Sequence, residues 1–550
     1  MPTVNLNKKK VLEYIGKDIT DKVLFEKIPM IGTDLEGITD DEISVEIFPN
    51  RPDMLSEEGF ARAFKSFLGL EKGLRKYVVN KSDYKATIDS SVKEVREFAV
   101  AAVIKGVNVD SDFIARLMQV QEKLHTTHSR NRKSAAIGVH DLDTVSFPIN
   151  YTTRGKDFSF IPLEGKAEMT IEAILTEHPK GKAYAHLVDK DVYPVWIDAE
   201  DKVVSFPPII NGIHTTVTSD TKNLLLDITG TDEKVVVQAL NIMVSMLSDA
   251  GGKIYEVDVS GNKYPDFTAN VMKLDLSYAN RLLGLELDAE SAIDYLLMMG
   301  LGAKKVSESI VEVSIPVFRT DILHSMDLIE DIAIAYGYEN FDSEMSDATT
   351  VGAESSKTVF SRKVSELLVG LSYLECKSFH MTNAKTLFEK MNHEVSKDIV
   401  RTANAVNIEY DAMRDRLLSG LMKILSENTH NEYPQNLFEA GTVISKDDSA
   451  ETNVSEDTNI ALVSAGLTSD FSSMKAVIET FALNLDVDIR FEEHEDPSFI
   501  SGRCAKLVLS GAMIGVVGEL HPEVLVNWGL DVPVAAAEID LLIVMDAVFK

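Results

Sequence analysis

The sequence predicts a multidomain protein that combines α/β and α+β folds, and three observations support this. The chain has 550 residues, and at about 150 residues per domain this length predicts about three or four domains. Apolar residues make up 45% and charged residues 26% of the chain, which is typical of globular proteins with sizeable cores. Segments with strand-like alternation and segments with helical periodicity follow one another along the chain. We therefore expect several compact domains in which helices and strands are mixed.

Charge, cysteine content and hydropathy exclude several classes of protein. The net charge is −32 and the pI is about 4.8, whereas a protein that binds nucleic acid alone usually has a basic footprint. A polyanionic ligand must therefore meet a local basic patch or a basic partner. Cys376 and Cys504 are the only cysteines, so a disulfide framework is excluded and a reducing cytoplasm is indicated. No signal-peptide pattern and no apolar run of roughly 18 residues is present, so we expect a cytoplasmic protein with no membrane partner.

The first predicted domain spans residues 1–85. A helical pattern is followed by a strand at Glu42–Phe48 and by the Pro-rich turn PNRPD. Ser56 is a predicted helix N-cap, because the two acids after it complement the helix dipole. In the turn, Arg51 and Asp53 are expected to fix the backbone. These residues predict structure and no chemistry.

The second predicted domain, residues 86–265, contains several short β-rich runs. One of its segments, Gln121–Asp143, is markedly basic in an otherwise acidic chain. Another, Phe206–Asp232, alternates β-branched residues with turn formers and predicts strands joined by polar loops. The basic and imidazole side chains of the first segment are Lys123, His125, His128, Arg130, Arg132, Lys133 and His140.

The third predicted domain, residues 266–345, is a compact α/β unit. Asp288 is a predicted N-cap of its first clear helix, alternation predicts a strand that ends at Ile315, and Met326–Tyr336 predicts a second helix. The polar stretch Ser343–Ser356 then predicts a linker. Helices and strands alternate in the remaining chain.

Four acids lie close together in this third domain, and they have two possible explanations. The last three stand at i, i+3 and i+4 of the predicted helix, where like charges cost roughly 0.2–0.5 kcal/mol per pair. A bound cation would reverse this cost, and hard carboxylate ligands suit Mg²⁺ or Ca²⁺. The alternative is a solvated acidic face, which the spacing alone favours. The acids are Asp321, Asp327, Glu330 and Asp331.

Four motifs occur in order along the chain and carry a family resemblance. They are PNRPD with the following LSEEGFARA, LHTTHSRNRKSAAIGVHDLD, IINGIHTTVTSDT with LLLDITGTD, and PVFRTDILHSMDLIEDIAIAYGY. Through them the chain resembles the β subunits of phenylalanyl-tRNA synthetases in the shorter archaeal and eukaryotic form. The resemblance extends from near Met1 to the C-terminus.

The resemblance implies an α2β2 heterotetramer that acts on tRNA(Phe). The α subunit then attaches phenylalanine to tRNA with ATP, and the β chain carries an editing site and a domain that has lost its chemistry. The four acids are the expected Mg²⁺ motif, in a site shared with the α subunit. The implied domains are an N-terminal α/β domain (1–85), a β-rich editing domain (86–265), a small α/β metal-motif domain (266–345) and a class II synthetase-like antiparallel-sheet domain without catalytic motifs (352–550).

The sequence of the last domain agrees with the loss of synthetase chemistry. A class II synthetase needs arginines at the ATP phosphates, because the guanidinium fork matches phosphate oxygens. The segments PQNLFEAGTV and IGVVGELHP stand where such residues are expected, and neither contains an arginine. We therefore expect a structural domain that forms interfaces.

An editing site is expected because phenylalanine and tyrosine differ by one hydroxyl. An apolar pocket rejects an isostere with an added hydroxyl weakly, by about 10², so a second site must hydrolyse Tyr-tRNA(Phe). The resemblance assigns this site to Asp227, which accepts the phenol proton or orients a water, and to Thr229, which supplies a second hydrogen bond. Turn and cap chemistry is the alternative for both. Weaker candidates are Asn211, Thr216 and Thr218.

The basic segment is the expected partner of the tRNA 3′ end. Lys123, Arg130 and Arg132 are expected to hold phosphates, and His125 or His140 is expected to contact ribose or the ester. The alternative is a surface helix with solvated charges, which stays open for Lys133 and His128. No serine or cysteine motif accompanies the imidazole at position 140, so we expect attack by water and no covalent intermediate. A free-standing hydrolase is disfavoured because it needs no second catalytic-like domain. A purely structural subunit with a decayed editing pocket stays the alternative.

Overall fold

The computed structural model describes residues 2–188, 192–345 and 350–549. The chain folds as two compact units, Met1–Met345 and Ser346–Lys550. Each unit contains helices and more than one sheet, which confirms the predicted multidomain α/β class. Among the described residues, no helix is both long and apolar enough to cross a membrane.

The first unit begins with three helices and a three-stranded antiparallel sheet. The elements are β1 (Thr3–Asn7), α1 (Lys8–Ile15), α2 (Asp21–Lys27), β2 (Thr33–Ile38), β3 (Glu42–Ile47) and α3 (Glu57–Phe67). β3 lies between β1 and β2 and buries its alternate apolar residues. Ser56 caps α3 as predicted, since its Oγ accepts a 3.0 Å bond from the Gly59 N–H. In the preceding turn, Arg51 and Asp53 form a buried bidentate ion pair.

Two larger sheets follow in the first unit. Their elements and the helices around them are β4 (Val79–Asn80), β5 (Lys85–Ile88), β6 (Phe98–Lys105), α4 (Ser111–Thr126), β7 (Ala135–Asp141), β8 (Ile149–Arg154), β9 (Ser159–Phe160), β10 (Met169–Thr170), α5 (Ile171–Glu177), α6 (Pro179–Tyr184), β11 (Tyr193–Ile197), β12 (Val203–Phe206), β13 (Ile210–Asn211), β14 (Asn223–Gly230), α7 (Glu233–Asp249), β15 (Lys253–Tyr255), β16 (Val257–Val259) and β17 (Asn262–Tyr264).

Strand β14 lies between two layers, with one face against helices α4 and α7 and the other toward the second sheet. It pairs antiparallel with β6 and β7 in a five-stranded sheet of order β4-β15-β6-β14-β7. The second sheet has the order β13-β12-β11-β8-β5-β16-β17. Leu224 and Leu226 pack with α4 and α7, whereas Leu225 packs with residues of the second sheet. Because side chains alternate along a strand, Asp227 and Thr229 share the face that lies toward the second sheet.

The first unit ends in a three-stranded antiparallel sheet with three helices. Its elements are β18 (Asn270–Asp275), α8 (Leu276–Leu283), α9 (Ala289–Met298), β19 (Gly302–Lys305), β20 (Ile310–Ile315) and α10 (Ser325–Tyr336), in the sheet order β18-β20-β19. The predicted cap of α9 is present, since Asp288 Oδ1 accepts a 2.8 Å bond from the Ser291 N–H. Of the predicted linker Ser343–Ser356, residues 346–349 lie outside the described residues.

The second unit contains a seven-stranded sheet and a two-stranded sheet. Its elements are α11 (Ser356–Gly370), β21 (Leu374–Glu375), β22 (Met381–Thr382), α12 (Ala384–Leu387), β23 (Ala412–Met413), α13 (Leu418–Glu427), β24 (Gln435–Lys446), β25 (Val454–Ala465), α14 (Phe471–Asn484), β26 (Ile489–Glu493), β27 (Phe499–Leu509), β28 (Ala512–Leu520), α15 (Pro522–Trp528), β29 (Val534–Asp540) and α16 (Leu541–Val548). The large sheet has the order β21-β24-β25-β29-β28-β27-β26 and is antiparallel except for the β21–β24 pair.

Helices cover both faces of this large sheet. α11, α14 and α16 pack against one set of alternate strand residues, and α13 and α15 pack against the other set. Arg414 reaches the segment PQNLFEAGTV in space, but its Nη1 donates a 2.7 Å bond to the buried Glu439. Its Nε donates to the Thr442 carbonyl at 2.8 Å. The guanidinium is thus committed to internal contacts.

Candidate active site

A cavity of about 780 Å³ lies in the first unit, with walls from α4, β7, β12, β13 and β14. This volume is within the range of about 300–1,000 Å³ that is typical of small-molecule sites. α4 and the β12–β13 segment contribute mostly apolar side chains, and β14 contributes Asp227. The carboxylate is only 1% exposed, so the protein surrounds it on most sides at the cavity wall.

Asp227 is held in one orientation by two donors. Its Oδ2 accepts a 2.6 Å bond from His140 Nε2 and a 3.0 Å bond from Ser205 Oγ. On the other side of the imidazole, His140 Nδ1 lies 2.8 Å from Thr215 Oγ1. All four side chains are buried. Since both donors reach Oδ2, the Oδ1 atom is left for a ligand or a water in the cavity.

Gly138 makes the contact between Asp227 and His140 possible. It lies opposite Asp227 in the β7–β14 register. A Cβ atom at this position would lie 2.5 Å from Asp227 Oδ2 and 2.6 Å from His140 Nε2. Any larger residue would therefore force the two groups apart.

His125 lines the cavity but is already bound to the protein backbone. Its Nε2 accepts a 2.8 Å bond from the Ile137 N–H. Burial lowers the pKa of His125 to about 4, so the ring is neutral near pH 7. The nearby His125 ring and the charge of Arg132 lower the pKa of Glu122 to about 2. His125 therefore shapes the wall and does not act as a cationic contact.

Arg132 is also engaged within the protein. Its Nη1 donates to the carbonyls of Pro208 and Ile209, each at 3.2 Å, and its Nη2 donates to Glu122 at 3.3 Å. The guanidinium carbon lies 4.3 Å from the Tyr184 ring centroid. Arg132 thus joins the basic segment to the β12–β13 segment across the cavity wall; since it is buried, its contact with a tRNA phosphate stays a prediction.

Thr229 is buried beneath the site and does not line the cavity. Its Oγ1 accepts a 2.9 Å bond from Arg96 Nε, and its carbonyl accepts a 2.7 Å bond from Arg96 Nη2. Thr229 thus contacts Arg96 and does not reach the cavity wall, and the direct hydrogen bond to a ligand that was expected of it stays a prediction.

The remaining members of the basic segment lie outside this cavity. Lys123 and Arg130 line a separate groove of about 700 Å³ with Pro2, Pro49 and His128. Lys133 is exposed and follows Arg130 closely in sequence, but it does not line this groove.

Two further candidates lie on the cavity wall. Asn211 donates a 3.3 Å bond from Nδ2 to the Val139 carbonyl, and Thr216 donates to the Ile213 carbonyl at 2.5 Å. Both line the cavity, whereas Thr218 does not.

Comparisons with known proteins give matches to one family over nearly the whole chain. Three family models match: the B3/4 domain over residues 100–250, the tRNA synthetase B5 domain over 272–338, and the phenylalanyl tRNA synthetase beta chain CLM domain over 342–541. The phenylalanine–tRNA ligase beta subunit of Archaeoglobus fulgidus is 41% identical over 548 residues, which are 98% of each chain. The chain belongs to the phenylalanyl-tRNA synthetase β-subunit family.

Further members of this family agree. The phenylalanine–tRNA ligase beta subunit of Pyrococcus horikoshii is 38% identical over 98% of this chain and 99% of its own. A crystal structure of an N-terminal fragment of the Pyrococcus horikoshii beta subunit has a TM-score of 0.59 and 37% sequence identity, and it covers 61% of this chain and 99% of that fragment. The cavity around Asp227 lies within the residues that match the B3/4 model.

The four acids of the B5 match do not form a metal centre in this β-subunit chain. Arg319 Nη2 lies 2.8 Å from Asp321 and 2.9 Å from Asp331. Asp327 accepts two 2.7 Å backbone bonds at the start of α10, and Glu330 is exposed. Among the described residues, no group of three His, Cys, Asp or Glu side chains is arranged to hold a metal ion. Within this chain the donor set does not fit a metal, because Arg319 already binds Asp321 and Asp331; a Mg²⁺ site shared with the α subunit stays a prediction.

The solvated acidic face is also not what the structure shows at Asp331, which is 4% exposed. Burial raises the pKa of Asp331 to about 6. For Asp321, burial acts in the same direction, but the charge of Arg319 holds the pKa below its ordinary value. The helical spacing predicted a single acidic face, but in the fold Asp331 is buried and Glu330 is exposed.

Four residues of the site in this β-subunit family member were not predicted from the sequence. Ser205 lies outside the quoted motifs, whereas Thr215 and Gly138 lie inside two of them but were not selected, because a single hydroxyl residue and a strand glycine are not specific signals. Arg96 lies between the first and the second motif. The role of Gly138 becomes visible only in the fold, where the antiparallel pairing of β7 with β14 places it opposite Asp227.

Proposed function

We propose that this chain assembles in the cytoplasm with a phenylalanyl-tRNA synthetase α subunit as an α2β2 heterotetramer, and that its cavity around Asp227 hydrolyses Tyr-tRNA(Phe). The α subunit carries the ATP-dependent attachment of phenylalanine to tRNA(Phe). The observation that carries the editing assignment is the buried carboxylate of Asp227, fixed by His140 and Ser205 in the wall of a large cavity. The domain bounds 1–85, 86–265, 266–345 and 352–550 belong to the same proposal.

The proposed reaction is attack by water on the ester that links tyrosine to the terminal ribose. Asp227 Oδ1 accepts a hydrogen bond from the water, while His140 and Ser205 keep the carboxylate in place. As the water oxygen bonds to the ester carbonyl carbon, Asp227 takes one proton from the water; the bond from that carbon to the ribose oxygen then breaks, and Asp227 gives this proton to the ribose oxygen. A positioned carboxylate of this kind is a general base.

The hydrogen bonds speak against a serine nucleophile. Ser205 Oγ donates to Asp227 and not to His140, so the imidazole is not placed to take the serine proton. The order of contacts in a Ser-His-Asp triad is different, since histidine lies between the other two groups. This supports attack by water, as expected from the sequence.

The direct test is hydrolysis of Tyr-tRNA(Phe) by the assembled α2β2 enzyme, with phenylalanine charging measured on the same preparation. Release of tyrosine at a rate well above the spontaneous rate supports the proposal. Normal charging without hydrolysis would show that the subunit is structural and that its editing pocket has decayed. Wild-type values from both assays are the reference for the variants below.

We expect the groove that contains Lys123 and Arg130 to hold the tRNA backbone. Replacing both residues with alanine is expected to raise KM for Tyr-tRNA(Phe) hydrolysis and leave kcat unchanged, because phosphate contacts contribute binding and not chemistry. Loss of two such contacts lowers the slope of log affinity against log salt by about 1.4–1.8. Hydrolysis of 3′-tyrosyl-adenosine, which lacks the backbone, measures the cavity alone and should not change.

Lys133→Ala is the matched control for the groove. It removes a positive charge from the same segment without changing the groove lining. A similar rise in KM in this control would show a general charge effect, and an unchanged KM in the double variant would exclude the groove as a tRNA contact.

Gly138→Ala is expected to lower kcat for hydrolysis by about 10²-fold, since small misplacements of reacting groups can cost this much. The added Cβ would displace Asp227 and His140 from their 2.6 Å contact. Single-turnover release of tyrosine measures the effect. Gly155→Ala is the control, because a Cβ there meets nothing within 4 Å. Wild-type hydrolysis by Gly138→Ala would show that this contact is not needed.

A further inference from the structure

Arg96 is a buried guanidinium whose hydrogen bonds go to neutral oxygens. It lies before β6 and is 4% exposed. Besides its two bonds to Thr229, its Nη2 donates to the Arg132 carbonyl at 3.1 Å and its Nη1 donates to the Lys133 carbonyl at 3.3 Å. A charge that is buried among neutral acceptors costs more free energy than an apolar side chain of the same size. This cost indicates that the hydrogen bonds of the Arg96 guanidinium have a role in addition to packing.

The guanidinium connects strand β14 to the loop Ser129–Lys133. Arg130, Asn131 and Arg132 in this loop have φ values of 49°, 54° and 65°. Residues with a Cβ rarely adopt this left-handed conformation, and a run of three is unfavourable without support. The bonds from Arg96 to two carbonyls of the loop supply such support, since hydrogen bonds from a charged donor are stronger than neutral ones.

The position of this loop determines one wall of the cavity. Its Arg132 side chain reaches the carbonyls of Pro208 and Ile209 and packs on Tyr184. A shift of the loop would therefore move the β12–β13 segment, which carries Asn211 into the same wall. Arg96 also interacts electrostatically with Asp227. Burial lowers the pKa of Arg96, and the negative charge of Asp227 acts against this lowering.

We infer that Arg96 is a positioning residue of the proposed editing site, and that Thr229 serves this site as an anchor for Arg96 rather than as a contact to the substrate. This inference rests on the proposed hydrolysis of Tyr-tRNA(Phe). It explains why Thr229 lies on the same strand face as Asp227 and yet is absent from the cavity wall. The Arg96 guanidinium holds strand β14 and the loop Ser129–Lys133 in place relative to each other.

The experiment compares Thr229→Ser, Thr229→Val and Arg96→Lys in the assembled α2β2 enzyme. Thr229→Ser keeps the oxygen that accepts from Arg96 Nε and should hydrolyse Tyr-tRNA(Phe) like the wild type. Thr229→Val removes this oxygen at constant shape, and Arg96→Lys removes the fork that reaches three carbonyls. Both should lower kcat by about 10- to 100-fold, with KM changed less than about threefold. Phenylalanine charging should stay near the wild-type rate and serves as the folding control.

Two further measurements separate this role from direct catalysis. The double variant Arg96→Lys with Thr229→Val should be no slower than about the slower single variant, because coupled residues are not additive. Hydrogen exchange should be about fivefold to tenfold faster in Thr229→Val at the amides of Arg132 and Ser134, which are hydrogen-bonded in the wild type. This exchange measurement needs no substitution at Arg96, so it remains decisive if Arg96→Lys fails to fold.

The inference is wrong if Arg96→Lys hydrolyses like the wild type while Thr229→Val does not, since Thr229 would then act on the substrate itself. Unchanged exchange in the loop of Thr229→Val would overturn it as well. If the wild-type enzyme does not hydrolyse Tyr-tRNA(Phe) at all, the proposed function fails and this inference fails with it. The first two results leave the proposed function intact, so the two failures are distinguishable.

Discussion

Asp227→Asn is expected to lower kcat for Tyr-tRNA(Phe) hydrolysis by about 10²- to 10⁴-fold, the usual contribution of a positioned acid–base group. Asparagine keeps the size of the side chain and an oxygen that accepts from His140 and Ser205, but it removes the negative charge that the attacking water requires. The measurement is the rate of tyrosine release by the assembled enzyme at saturating Tyr-tRNA(Phe). Phenylalanine charging should stay near the wild-type rate, because the altered cavity belongs to the B3/4 match and not to the α subunit.

The separation of kcat from KM decides which proton Asp227 accepts. A base that orients the water lowers kcat and leaves KM unchanged when it is lost. If Asp227 instead accepts the phenol proton of tyrosine, the variant will raise KM, and its rates on Tyr-tRNA(Phe) and Phe-tRNA(Phe) will converge. Asp141→Asn is the control, since its carboxylate binds Thr221 Oγ1 outside the cavity wall. An equal loss of charging and hydrolysis would contradict the assignment of Asp227 to editing.

Local sequence signals predicted the elements of the fold well where caps and alternation were clear. Ser56 and Asp288 both cap helices as expected, and the acidic segment forms a helix close to its predicted bounds. The pairing of strands was not predictable in this way. β4 pairs with β15 and β5 pairs with β16, and both pairs join strands that are far apart in sequence. Periodicity identifies a strand, but its neighbour depends on packing of the whole domain.

The candidate site shows the same division between local and long-range information. The motif around Asp227 was sufficient to select this carboxylate, and alternation along β14 places Thr229 on the same face. Asp227 lines the cavity and Thr229 does not; Thr229 instead accepts a hydrogen bond from Arg96, which lies outside the motif. The basic segment looked like one patch in sequence. In the fold, α4 and the loop after it direct Arg132 to the cavity and Lys123 to a separate groove.

The acidic motif was ambiguous for a comparable reason. Spacing on a helix places Asp327, Glu330 and Asp331 on one side, but it does not reveal what packs there. Arg319 precedes the helix in sequence, and its side chain reaches the helix and donates hydrogen bonds to Asp331. The buried ion pair thus depends on the turn that carries Arg319 and Asp321, which periodicity within the helix cannot detect.

Arg319→Met is expected to destabilise the region around α10 by about 3–5 kcal/mol, the usual cost of removing one partner from a buried ion pair. Methionine fills a similar volume but leaves the partly buried carboxylate of Asp321 and the buried carboxylate of Asp331 without their cation. Hydrogen exchange of the α10 amides in the assembled enzyme, together with thermal unfolding, measures the loss. Arg281→Met is the control, since this arginine is exposed and lies against the Tyr278 ring. Wild-type stability of Arg319→Met would show that the ion pairs are not needed.

The destabilisation by Arg319→Met should also depend on pH. The pKa of Asp331 is about 6 in the folded chain and about 3.9 in an unfolded one. An acid with a raised folded-state pKa adds stability below the unfolded value, and this contribution is lost as the pH rises through the folded value. Without Arg319 the folded-state pKa rises further, so the difference from the wild type should be smaller at pH 5 than at pH 8. Adding Asp331→Asn to Arg319→Met should recover part of the stability at pH 8, because the second substitution removes a buried charge that has lost its partner.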